Sequence, residues 1–129
     1  MSLEQLAFDV FAKNCTSRPV METVTGRWGG LTLAALLAGT HRFNELRRRV
    51  DGVSEKMLSQ TLHALERDGL VVREVRSAIP PRVEYSLTGS GRRIAAKLTE
   101  LIELVEAEMP EITAAQERYD AREDRDSGV

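Results

Sequence analysis

The stretch Phe43-Asn44-Glu45-Leu46-Arg47-Arg48-Arg49-Val50-Asp51-Gly52-Val53-Ser54-Glu55-Lys56-Met57-Leu58-Ser59-Gln60 holds two helical patterns separated by a turn. From Phe43 to Val50, the residues Phe43, Leu46 and Val50 share one helical face, and Arg47, Arg48 and Arg49 cover its rear. Asp51-Gly52-Val53 predicts the turn, because glycine adopts positive φ at little steric cost. Ser54 is placed to cap a second helix that runs to Arg67 or Asp68, with Gly69 as its stop. In that helix Leu58, Leu62 and Leu65 recur in steps of four and three and point inward. Lys56, Gln60, His63 and Arg67 recur on the opposite side, with Ser59 at its edge.

The flanking sequence fits around this pair. Downstream, Leu70 to Val75 is valine-rich and reads as a strand. Arg82-Val83-Glu84-Tyr85-Ser86-Leu87 alternates cleanly, so the two strands form a hairpin with Pro80-Pro81 at its tip. Upstream, His41-Arg42 reads as one rung of a strand, and Leu31 to Leu37 as a buried helix between Gly29-Gly30 and Gly39, with Trp28 anchoring the core at its start. Pro19 suits the first turn of an earlier helix that ends at Gly26, preceded by a loop over Asn14-Cys15-Thr16-Ser17. Before that, Leu3, Leu6, Ala7, Val10 and Phe11 have helical spacing behind a Ser2 cap and Gln5. Thr88 opens a long last helix in which Ile94, Leu98, Leu101, Val105, Met109 and Ile112 recur, and Pro110 is expected to break or kink it. After Tyr119 the chain is nearly free of apolar residues. The expectation is therefore one domain over residues 1–120 and a disordered acidic tail over 121–129. Helix, short strand, helix, turn, helix and hairpin form the order of a winged helix-turn-helix: mainly α with a small β-hairpin wing (α+β), flanked by N- and C-terminal helices.

In a helix-turn-helix the second helix lies in the major groove and the first crosses the backbone. The net charge of -2 is a weak argument against a polyanion partner, but its distribution is not. From His41 to Lys97 twelve basic residues face seven acidic ones, a net of +5; from Leu98 onward the net is -7. A local basic field, rather than the total, steers DNA. Ser54, Lys56, Ser59 and Gln60 are expected at base edges, since Lys, Gln and Ser can all bond them, with His63 at the flank. Arg47, Arg76 and Arg82 are expected at phosphates or the minor groove, with the prolines stiffening the wing loop, and Arg42 is a further expected DNA-binding residue.

Other classes fit poorly. No segment has the roughly 18–20 apolar residues that span a membrane, and no signal peptide is legible. One cysteine allows no intrachain disulfide, which makes the cytoplasm the expected compartment. His41, His63 and Cys15 form no nucleophile, metal or phosphate-loop motif, so neither catalysis nor a cofactor or metal is expected. A winged helix devoted to protein contact would want an apolar outer face where Lys56, Gln60, His63 and Arg67 stand.

From Cys15 to about Ile94 the chain resembles the HxlR family of bacterial winged-helix regulators. The resemblance rests on Gly26-Arg27-Trp28, Arg42-Phe43-Asn44-Glu45-Leu46, Gly52-Val53-Ser54-Glu55-Lys56-Met57-Leu58-Ser59-Gln60, Leu65-Glu66-Arg67-Asp68-Gly69-Leu70-Val71 and Pro80 to Thr88, with Gly91. It implies a homodimeric repressor or activator on a pseudo-palindromic operator, its first and last helices pairing through Leu3, Leu6, Val10, Leu98, Leu101 and Val105. It also implies a redox-sensing role for Cys15, against which stands an inert thiol; Lys13 and Arg18 nearby would favour the thiolate. A rival trigger is a small aromatic or electrophilic ligand near Trp28. The chain departs from the family pattern in Thr16 after Cys15, in Gly29-Gly30 after Trp28, and in Arg76-Ser77 of the wing. The glycine pair is expected to loosen the core or leave room for a ligand.

Overall fold

The computed structural model describes residues 7–128, with the side chains of Ser77 and Ala78 excepted. The elements are α1 (Ser17–Thr25), α2 (Gly29–Leu37), β1 (His41–Arg42), α3 (Phe43–Arg49), α4 (Glu55–Arg67), β2 (Val71–Ala78), β3 (Pro81–Leu87) and α5 (Gly89–Ser127). The strands form an antiparallel sheet in the order β1-β3-β2, with His41 opposite Tyr85 and Val71 opposite Leu87. This is the winged helix-turn-helix that the sequence predicts.

Among the described residues, 7–98 form one compact unit and 99–128 a second. The core of the first is built from Leu33 and Leu36 of α2, Leu46 of α3, Leu58, Leu62 and Leu65 of α4, Leu70 and Val71 beside them, and Tyr85 and Leu87 of β3. Leu33, Leu46, Leu58 and Leu65 are wholly buried. Burying one leucine side chain contributes roughly 1.5–3 kcal/mol. The apolar stripe of α4 is therefore what sets this helix's rotation about its own axis.

The joints follow the local chemistry. Gly52 has φ +91 in the turn between α3 and α4, where a side chain would be strained. The Oγ of Ser54 accepts the Met57 N–H at 3.1 Å and caps α4. At the other end Gly69 has φ +73, and the N–H groups of Gly69 and Leu70 donate to the carbonyls of Glu66 and Leu65, a Schellman closure. Thr88 holds two elements at once: its Oγ1 donates to the Gly69 carbonyl at 2.6 Å and accepts the Gly91 N–H at 3.0 Å.

Four expectations are corrected. Leu3 and Leu6 lie outside the described residues, but Ala7–Phe11 is not helical. Instead the Asp9 carboxylate accepts the Phe11 N–H at 3.0 Å, a local turn that competes with a helix. Pro110 does not break the last helix, and the acidic stretch does not end it; α5 continues to Ser127. Proline removes one backbone bond but keeps a helical φ, and Ala114-Ala115-Gln116-Glu117-Arg118 are strong formers that extend a helix already nucleated. Finally, Gly29-Gly30 tighten the core rather than loosen it. A Cβ on Gly29 would overlap the Thr23 carbonyl, and one on Gly30 would lie 2.8 Å from the Val24 carbonyl. The pair lets α2 start directly against the backbone of α1.

Candidate nucleic-acid interface

α4 divides as its spacing predicts. Leu58, Leu62 and Leu65 are buried, and Lys56, Ser59, Gln60, His63 and Arg67 are exposed. Among the described residues the side chains of Lys56, Ser59, Gln60 and His63 make no hydrogen bond or ion pair, so their donors and acceptors face water. Arg67 leans on Asp68 at 3.6 Å. Lys56, Gln60 and Arg67 stand opposite the leucines. Ser59, His63 and Glu66 line a groove with Arg73 and Tyr85, and Met57, Thr61 and Ala64 line one with Trp28. Ser54 is exposed, but its oxygen already accepts the cap bond, which leaves its O–H as the group it can offer to a partner.

The expected phosphate-contacting arginines are partly engaged within the chain. Nη1 of Arg47 pairs with Oε1 of Glu55 at 2.9 Å, beside a polar groove of about 510 Å³ that Asn44, Arg48 and Asp51 also line. Arg76 is the extra residue at a bulge between Val75 and Ser77, where the register to β3 shifts. Bulges re-aim side chains, and this one turns Arg76 back along the wing to Glu74 at 3.2 Å and Glu84 at 3.5 Å. Arg82 is exposed at the tip end of β3. Arg42 is exposed before α3, and its backbone N–H donates to Oε1 of Glu45 at 2.8 Å. That bond holds the Glu45 carboxyl below its usual range, helped by His41, Arg42 and Arg48.

Two grooves flank α4. One, of about 680 Å³, runs between the α1–α2 corner and α4; Trp28, Met57, Gln60 and Thr61 line it, and the Arg27 guanidinium sits over the Trp28 ring 4.7 Å from its centroid. The other lies toward the wing and includes Arg73 and Glu66, which the pattern of α4 alone did not single out. The signal for Arg73 was the strand register, which brings it opposite Tyr85.

Cys15 is half-buried in the loop before α1. Its Sγ lies 3.3 Å from Ser17 Oγ and accepts the Asp9 N–H at 3.2 Å. The Ser17 hydroxyl, then the Ser17 backbone N–H, hold the thiol below its ordinary value. The basic neighbours are not the cause: Arg18 is tied to the Val10 and Phe11 carbonyls and to Glu22. Of the residues expected at a dimer interface, Val10 is half-buried in a turn, Leu98 packs against the core of its own chain, and Leu101 and Val105 are exposed.

Among the described residues no helix is long and apolar enough to cross a membrane, and no three His, Cys, Asp or Glu side chains gather as a metal site requires.

A sequence model of HxlR-like helix-turn-helix proteins matches residues 23–113. The chain is 49% identical over 109 residues to the HTH-type transcriptional regulator YtfH of Escherichia coli (strain K12), covering 84% of this chain and 86% of that one. The solved structure of the transcriptional regulator ytfH from Salmonella typhimurium superposes with a TM-score of 0.81 at 48% identity, over 86% of this chain and 99% of that one. The redox regulator HypR in its oxidized form superposes with a TM-score of 0.66 at 36% identity, over 72% of this chain and 96% of that one.

Proposed function

The chain belongs to the HxlR-like helix-turn-helix family of transcription regulators, and from that premise we propose that it is a homodimeric repressor, without enzymatic activity, that grips a pseudo-palindromic operator. α4 enters the major groove with Lys56, Ser59 and Gln60 at base edges and His63 at the flank. Ser54 offers its free O–H to a base edge at the start of α4, and Arg47, Arg76 and Arg82 engage the backbone or minor groove, with Arg42 a further DNA contact. The observation that carries this reading is the division of α4: its inner face is locked by Leu58, Leu62 and Leu65, and its outer face presents unengaged hydrogen-bonding groups. A two-fold dimer places two such helices about 34 Å apart, one turn of DNA.

Apolar residues left in water support the dimer. In the unit from Thr99 onward, Leu101, Leu104, Val105 and Met109 are exposed on α5; before α1, Phe8 and Phe11 are exposed as well. A second copy of the chain would cover them.

For the trigger, the hydrogen-bonded thiol of Cys15 favours oxidation or alkylation over a bound ligand. A thiol held low by donors and reachable by solvent is the reactive kind. The rival is a small ligand in the groove beside Trp28.

The test is anisotropy titration onto DNA from upstream of the protein's own gene, against a scrambled duplex and at several salt concentrations. Preference for the native duplex, weakening steeply with salt, is expected; equal affinity for both would overturn specific binding. Peroxide is expected to release wild type but not Cys15→Ser, and equal release of both would overturn Cys15 as the sensor.

A further inference from the structure

Between the sheet-facing edge of α4 and the wing lies a groove of about 280 Å³ lined by Ser59, Leu62, His63, Glu66, Arg73 and Tyr85. We propose that this seam seats a phosphate of the DNA backbone and that Arg73 is the cation that holds it; this rests on the DNA-binding reading above.

Charge supports the assignment first. Arg73 is exposed, and among the described residues it forms no ion pair, whereas Arg47 and Arg76 are both paired with glutamates of their own chain. Its guanidinium is the free cation of the seam, with five N–H donors in a fork that suits phosphate oxygens.

Position supports it next. Arg73 sits opposite Tyr85 in the regular part of the β2–β3 ladder, ahead of the bulge at Arg76. Tyr85 is itself buried, so the strand under Arg73 is anchored to the core. On the facing wall Ser59 and His63 stand one helical turn apart, offering a hydroxyl and a ring N–H. His63 stands at the flank of α4's outer face and Ser59 at its edge, where one hydroxyl can reach a base edge or the adjoining phosphate. When the outermost row of a helix lies against base edges, its edges meet the groove walls, which are sugar and phosphate. The seam lies where the sugar–phosphate strand would pass between recognition helix and wing.

Glu66 is the one carboxylate lining the seam. It opposes a bound anion and gives the test a second arm of opposite sign. Each phosphate contact on duplex DNA contributes about 0.9 to the salt slope, which is about fivefold in affinity near 0.15 M salt. Arg73→Ala is therefore expected to weaken binding about fivefold on both the upstream and the scrambled duplex, and to lower the slope by about one. Glu66→Gln is expected to tighten binding to both. Circular dichroism and thermal unfolding of each variant verify that it is folded. Wild-type binding with no change in Arg73→Ala, or loss confined to the native duplex, overturns the phosphate seat. Absence of wild-type binding to any duplex overturns the DNA-binding reading itself.

Discussion

Nη1 of Arg47 lies 2.9 Å from Oε1 of Glu55, a bond that ties α3 to the first turn of α4 across the turn at Gly52. Both side chains are substantially exposed, so the pair contributes at most about 1 kcal/mol to stability. Its larger effect is on what Arg47 can reach. Glu55→Gln is expected to cost less than about 1 kcal/mol in urea unfolding and to tighten DNA binding severalfold, because it frees a guanidinium and removes an acid beside the polyanion. Unchanged affinity in anisotropy titrations would place Arg47 away from the DNA backbone.

Gly29 carries a prediction about the core. Its Cβ would overlap a backbone carbonyl of α1, which cannot swing aside as a flexible side chain can. Gly29→Ala is expected to lower the unfolding free energy by about 2–3 kcal/mol, the upper part of the overpacking range. Gly30→Ala, whose added methyl meets the Val24 carbonyl less severely, is expected to cost less. Thermal unfolding of the two variants measures the order.

The thiol of Cys15 owes its lowered pKa first to the Ser17 hydroxyl. That bond favours the thiolate, so removing it moves the pKa up and leaves less thiolate at neutral pH. Ser17→Ala is expected to slow reaction with a thiol reagent at pH 7 and to shift the midpoint of the rate–pH curve upward. Arg18→Ala is expected to move that midpoint little, since Arg18 is not among the causes. The reverse order would assign the thiolate's stabilisation to charge.

Leu101 and Val105 are exposed on α5, so charges there have little core to disturb. The double variant Leu101→Glu, Val105→Glu is expected to keep its helix content and to sediment as a monomer where wild type sediments as a dimer. A doubly substituted protein that remains dimeric would move the interface elsewhere.

The frame was legible wherever one residue type answers one local demand. Gly52 and Gly69 mark positive φ, Ser54 and Thr88 mark caps, and the leucine spacing of α4 marks its buried side. What escaped depends on partners distant in sequence. Nothing in the sequence around Arg76 announces a bulge that turns it to Glu74 and Glu84. Nothing around Gly29 announces that Thr23 lies against it. Over Ala7 to Phe11 the helical spacing was overruled by the short-range bond from the Phe11 N–H to the Asp9 carboxylate. The acidic end of α5 was misread because low hydrophobicity argues against a core, whereas a helix already begun needs only backbone bonds and tolerant side chains. For the candidate site, the outer face of α4 could be read directly, but the seam with Arg73 required the strand register.

Thr88 joins the carbonyl that follows α4 to the first turn of α5 with one oxygen. Gly91 presses the same turn against the Leu70 backbone, with no room for a methyl between them. There is no slack at this joint. Any tilt of the first turn of α5 that preserves it carries the C-terminal end of α4 along, so the end of α4 and the base of the last helix move as parts of one lever.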